Sequence, residues 1–125
     1  MEFGELTEKI IGCAFRVYNK MGSGFLESVY EKCLLIELRR VGLQAEAQIP
    51  ITVRYDEEVV GEFVADVVVE NSVILELKAV RKLVEAHEVQ LVNELVATGK
   101  PVGLLINFGD SQVEVKRKVR ELPRA

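Results

Sequence analysis

The chain has 125 residues, 49% of them apolar and 29% charged, and a formal net charge of −4. It reads as a single domain over 1–125 with apolar residues enough for a core; no apolar run approaches the length of a membrane span, and the acidity argues against a protein that coats nucleic acid by bulk charge. MEFGELTEKI is acidic where a secretory leader is basic, and Cys13 and Cys33, without CxxC spacing, read as buried reduced thiols, so a cytoplasmic location is expected and a structural zinc site is not.

In chain order, Leu6, Ile10, Cys13, Ala14 and Val17 recur at helical spacing over 6–18. NKMGSG interrupts the pattern. Ser23 is placed to cap a second helix carrying Leu26, Val29, Tyr30, Cys33, Leu34, Leu38 and Val41, which Gly42 ends. From Ala45 to Tyr55 alternation is strict, with Ala45, Ala47, Ile49, Ile51, Val53 and Tyr55 on one face. Pro50, lacking a ladder donor, places that strand near an edge. A weak turn at 56–58 leads to a strand over 59–70, whose FVADVVV is apolar on both faces and suggests a central position. Asn71 and Ser72 turn the chain into a strand over 73–79. Helical spacing returns over 83–98, with Val84, Leu91 and Leu95 on one stripe, and stops at Gly99 and Pro101. PVGLLINF makes the next strand, parallel to 73–79 because a helix intervenes. QVEVKRKV is an edge strand or a short helix. The fold class is therefore α/β, a mixed sheet flanked by helices in the order α-α-β-β-β-α-β.

Three charged groups interrupt the apolar strands: Asp66, Glu76 and Lys78. Buried charges are costly unless paired or bound to a metal. Glu76 and Lys78 share a strand face. Where Asp66 points depends on the hairpin. A two-residue loop opposes it to Leu77, whereas a three-residue loop, Glu70 to Ser72, sets it across from Glu76, with Cβ atoms roughly 4.5–5.5 Å apart. Two carboxylates that close require a shared proton or a cation between them. Hard oxygen donors suit Mg²⁺ or Mn²⁺, and a lysine beside such an ion suits metal-assisted phosphodiester hydrolysis. The plainer reading is that Lys78 pairs with Glu76 or Asp66 at the sheet's end.

The stretch GFLESVY, residues 24–30, resembles the signature of the GxxExxY family at Gly24, Glu27 and Tyr30, and the resemblance continues through IIGCAFRVY, AD, ELKAV, HEVQL and GLLINF, over about residues 5–110. That family is grouped with PD-(D/E)XK nuclease-like proteins. The resemblance implies a restriction-endonuclease-like core, a Mg²⁺- or Mn²⁺-dependent nuclease, and a nucleic acid as partner, DNA in preference to RNA. It implies Asp66, Glu76, Glu27 and the Leu77 carbonyl as metal ligands, Lys78 as the group that positions water and stabilises charge, and Gln90 as an orienting residue. The chain departs from the pattern at Ala65, where proline stands before the aspartate, at Glu94, where a tyrosine follows the glutamine, and at Val64 in place of arginine. The alternative is a catalytically degenerate nuclease fold serving as a protein-interaction or regulatory module.

Plainer roles accompany each of these residues. Glu27 favours a helix N-terminus. Tyr30 suits a core aromatic whose hydroxyl holds Glu27 or a backbone carbonyl, and Gly24 lets the loop enter the helix. His87 reads as structural. The tail KRKVRELPR is a solvated face or a phosphate contact. With so acidic a surface, a second copy of the chain or a protein partner is expected to help grip nucleic acid.

Overall fold

The computed structural model describes residues 3–120. Their order is α1 (Phe3–Met21), α2 (Glu27–Arg40), β1 (Ala45–Tyr55), β2 (Glu58–Val69), β3 (Val73–Lys78), α3 (Glu85–Thr98), β4 (Val102–Phe108) and β5 (Val113–Val119). The strands form one mixed sheet in sequence order, antiparallel except for the parallel pair β3–β4 that the α3 crossover joins. This is the expected α/β architecture, with QVEVKRKV resolved as an edge strand. Pro50 indeed lies on the other edge strand, β1. None of the described helices is long and apolar enough to cross a membrane.

Helices cover both faces of the sheet. On one, Leu6, Ile10, Cys13 and Val17 of α1 and Tyr30, Leu34 and Leu38 of α2 pack on Val67, Val69, Leu75, Leu77, Leu104 and Ile106. On the other, Leu91 and Leu95 of α3 pack on Ile51, Ala65, Val68, Ile74 and Leu105. β3 and β4 are buried almost throughout, as strands covered on both faces must be. Cys13 is buried and Cys33 partly so, both as free thiols.

Several local expectations give way. Ser23 caps nothing: α2 begins at Glu27, with Leu26 at the N-cap and no side-chain cap bond. Leu26 is exposed, because the loop is held instead by Tyr30, whose hydroxyl donates to the Gly22 carbonyl at 2.6 Å and accepts the Phe25 N–H at 3.3 Å. Gly24, at φ 99, takes a backbone conformation that side chains disfavour. Val84 precedes α3 rather than joining its apolar stripe and is exposed. Phe63 and Val64 of the strand expected to be central are exposed too; only the stretch Val67, Val68, Val69 is covered on both faces.

The departure with most consequence is in β1 and β2. Ala45 packs towards α1 and α2, but Ile49 and Ile51 pack towards α3. Likewise Val67 and Val69 face α1 and α2 while Ala65 faces α3. Odd-numbered residues change face in both strands at the same place, the gap between the ladder pairs Ala47↔Val67 and Ile49↔Ala65. Gln48 sits there with φ 55, a left-handed conformation costing roughly 1–2 kcal/mol outside glycine. The strict alternation expected from Ala45 to Tyr55 is thus broken, and opposite the break stands Asp66.

Helix α3 lies close against β4 because Gly103 has no side chain. A Cβ there would stand 2.7 Å from Leu91 Cδ1 and 3.0 Å from its Cγ. Leu91 is fully buried and has nowhere to retreat. Gly103→Ala is therefore expected to destabilise the protein by about 1–3 kcal/mol through overpacking, read as a lowered urea midpoint. Unchanged stability would show that α3 can lift from the sheet.

Candidate functional site

The β2–β3 loop has three residues, and the pairs Val67↔Leu75, Val68↔Ile74 and Val69↔Val73 set the register. Extended by one residue, that register sets Asp66 across from Glu76. The ladder stops just short of this pair, and a side chain takes over: Asp66 Oδ2 accepts the Leu77 N–H at 2.7 Å. In an extended strand a residue's N–H and C=O leave on the same side, so the Leu77 carbonyl also faces the opening between β2 and β3. A cleft of about 200 Å³ lies there, lined by Glu27, Ser28, Glu31, Gln48, Asp66 and Leu77. Gln48 Nε2 donates to Glu31 Oε1 at 2.6 Å across its rim. Glu27 stands at its mouth on the first turn of α2.

Glu76 is 4% exposed, and its Oε1 has no hydrogen-bond partner. Beyond it lies Glu94 of α3, wholly buried, with neither carboxylate oxygen partnered. The Glu76 carboxyl is in hydrogen-bonding reach of both Glu94 and Asp66. If all three are ionised, acceptor faces acceptor and no bond forms; one proton supplies the missing donor. Burial first, then Glu94 and Asp66, push the Glu76 carboxyl up to about 10. Burial likewise raises Glu94, as does Asp66, against the opposing pull of Glu76 and Lys78. Glu27 is raised by burial against the pull of Lys78, with Asp66 and Glu31 adding to the rise. This is the pattern of carboxyls forced together in a dry setting.

Lys78 does not pair with Glu76 or Asp66: among the described residues it forms no ion pair within 4.0 Å. Its charge acts on Glu27 and Glu94 at longer range. Its position is fixed by its neighbours in the sheet. Lys78 lies beside Asn107, which is fully buried, takes the Val80 N–H at 2.9 Å, and donates to the Val80 carbonyl at 2.8 Å and to Glu114 at 3.1 Å. The chain leaving β3 is thereby clamped two residues beyond Lys78.

The remaining residues singled out from sequence are distributed as follows. Gln90 is exposed on α3 and makes no hydrogen bond to a described side chain. His87 caps α3, its Nδ1 accepting the Val84 N–H at 3.2 Å. Tyr30 stacks on Phe108 with centroids 4.4 Å apart and planes 1° from parallel. Part of the basic tail is tied down, Lys118 to Glu88 at 2.7 Å and Arg120 to the Gly99 carbonyl at 3.0 Å; residues 121–124 of it lie outside the described residues. Glu94 is the residue whose role sequence reasoning passes over: there it stands in place of a tyrosine and on one helical stripe with His87 and Gln90, whereas it is buried and Gln90 is exposed. The signal is present: it lies three residues after Leu91 and one before Leu95, on the buried side of α3.

A family model for the PD-(D/E)XK nuclease superfamily matches residues 4–118. The chain belongs to that superfamily. The crystal structure of SSO0001 shares its fold, with a TM-score of 0.62 at 16% identity over 78% of this chain and 52% of that one. The chain thus spans about half the length of that relative. No curated protein matches the chain. Within the superfamily's frame, the elements seen here are an aspartate at the parting of two strands and a glutamate and lysine two residues apart on the next. Hard oxygen donors with orphaned buried atoms are the right chemistry for a divalent ion. Among the described residues, however, no group of three or more His, Cys, Asp or Glu stands ready to hold a metal. Mg²⁺ is commonly held by one or two carboxylates together with water and phosphate oxygens, which Asp66, Glu76 and the Leu77 carbonyl are able to supply.

Proton linkage gives the buried carboxyl a measurable consequence. The folded chain retains a Glu76 proton that the unfolded chain releases near 4.5. Metal-free stability should therefore fall as pH rises from there towards about 10, by at most ~1.4 kcal/mol per pH unit for one proton. Glu76→Gln should flatten this slope and be the more stable protein above about pH 7, as read from urea unfolding in chelator. A variant less stable than wild type at every pH would show that Glu76 is well satisfied as an anion.

Proposed function

We propose that the protein is a Mg²⁺- or Mn²⁺-dependent nuclease that hydrolyses phosphodiester bonds, with DNA the expected substrate. The observation that carries this reading is the open cleft between β2 and β3, bordered by Asp66 and Leu77, with the orphaned Oε1 of buried Glu76 behind it and Lys78 outside any ion pair among the described residues. Asp66, Glu76 and the Leu77 carbonyl would hold the ion, and Glu27 is near enough to the cleft to hold one of its waters. When bound, the ion supplies Lewis-acid polarisation of a phosphoryl oxygen and a lowered pKa for water. Lys78 positions the water that attacks phosphorus in line and stabilises the negative charge that develops there. Gln90, on the exposed side of α3, is assigned an orienting role towards substrate. Superfamily membership supports the reaction class.

We place the chain in the GxxExxY group within that superfamily. Each signature residue has a visible role in the fold. Gly24 allows the turn, Tyr30 latches the Gly22–Phe25 loop, and Glu27 stands at the cleft. A second copy or a protein partner is assigned the grip on nucleic acid that an acidic surface lacks, and the cytoplasm is the assigned compartment.

Incubation with single- and double-stranded DNA and RNA, with and without Mn²⁺, tests the reading. Cleavage should require the ion, disappear in Asp66→Ala, and fall by at least ~100-fold in Lys78→Ala. No effect of divalent ions or of these substitutions beyond stability would favour the degenerate interaction module, and Mn²⁺ binding without cleavage of any substrate would favour a metal-binding protein without hydrolysis.

A further inference from the structure

Glu94 has no part in the site as proposed so far, yet it is the most completely buried charged side chain described in the protein, with 0% exposure and both oxygens unpartnered. A carboxylate so placed costs several kcal/mol unless something compensates it. Nothing on α3 does. Its helical neighbours Leu91 and Leu95 are apolar core residues, and Thr98, one turn on, bonds the main-chain carbonyl of Glu94 and not its carboxylate. The groups that face it come from the sheet: Glu76, Asp66 and Lys78.

The charges of those groups have a definite sum. With Asp66, Glu76 and Glu94 ionised and Lys78 protonated, the four groups together carry two net negative charges. One divalent cation neutralises them. Glu27 and Glu31 add negative charge at the cleft itself, but behind Glu76, where unbalanced charge is heavily penalised, the carboxylate of Glu94 is the one that offsets the ion. Glu76 belongs to the strand that borders the cleft, whereas Glu94 approaches it from the α3 side.

We propose that Glu94 is a positioning residue of the ion site: it backs Glu76 from helix α3 and completes the negative charge that makes a hard divalent cation, Mg²⁺ or Mn²⁺, the favoured occupant. This rests on the ion-dependent reading of the site and assigns the residue that sets its affinity.

The test is Mn²⁺ titration followed by calorimetry and by electron paramagnetic resonance, on wild type, Glu94→Gln, Glu94→Leu and Glu76→Gln, each also melted in chelator. Wild type should bind one Mn²⁺. Glu94→Gln and Glu94→Leu should bind it at least ~10-fold more weakly, the scale of lost support behind a metal ligand, while melting in chelator at or above the wild-type temperature. The leucine variant suits the apolar surroundings and keeps the test valid if the glutamine variant folds poorly. Equal affinity in wild type and both Glu94 variants, with binding lost in Glu76→Gln, overturns this inference and leaves the nuclease reading standing. A wild type that binds no Mn²⁺ overturns both. Lower melting temperatures with unchanged affinity would make Glu94 merely structural.

Discussion

Repulsion between carboxyl groups at the parting of β2 and β3 governs this molecule. Asp66, Glu76 and Glu94 approach one another from two strands and a helix, and two of the three are almost fully removed from water. In the absence of a cation the low dielectric that would strengthen an attraction strengthens repulsion instead. The folded chain tolerates the cluster by holding a proton and by giving one oxygen of Asp66 to the Leu77 N–H. Without that proton, Glu94 and the Oε1 of Glu76 have no hydrogen-bond donor. Such residual frustration at one place in an otherwise well-satisfied core marks a candidate functional site.

The rest of the fold holds that cluster in position. The left-handed backbone at Gln48 turns β1 and β2 over, so that the covered sheet continues on either side while Asp66 opens to the cleft. Gly103 lets α3 settle close to the sheet, which brings Glu94 to Glu76. Asn107 fixes the exit from β3 by both polar groups of Val80, and Tyr30 fixes the entry to α2, where Glu27 begins. Each bond is modest alone, about 0.5–1.5 kcal/mol net. Their common effect is to keep strand ends from relaxing away from one another.

The architecture was legible because period-2 and period-3.6 patterns were clean, and the parallel β3–β4 pair followed from the helix between them. The meeting of Asp66 with Glu76 followed from arithmetic on a three-residue loop, though sequence left a two-residue loop open; left-handed Glu70 and Asn71 decide it. The flip at Gln48 was not legible, since the apolar residues keep their alternation while the sheet face they meet changes. Ser23 misled because a hydroxyl near a helix start is a good cap only in register, and Tyr30 already held that loop. The role of Glu94 escaped notice through comparison with an expected tyrosine, although the residue's place between Leu91 and Leu95 already buried it.

Charge also orders events on the proposed reading. The cleft is bordered by Glu27, Glu31 and Asp66, with Glu76 and Glu94 behind, and Lys78 is the cation set among them. A phosphodiester approaching this surface meets net negative potential, which a single ammonium does not cancel. The exposed Arg81 pairs with Asp110, and Lys118 with Glu88, so cations near the sheet's end are partly engaged already. Attraction for a polyanion can therefore arise at the cleft only after a divalent cation has reversed the local sign. The same carboxyls that make the metal-free site repel substrate are those that recruit the ion, so ion entry becomes the step on which substrate binding depends. Substrate affinity should then rise with divalent concentration where simple phosphate-binding surfaces lose affinity through counterion competition, and that opposite sign separates an ion-gated acidic cleft from a basic binding face.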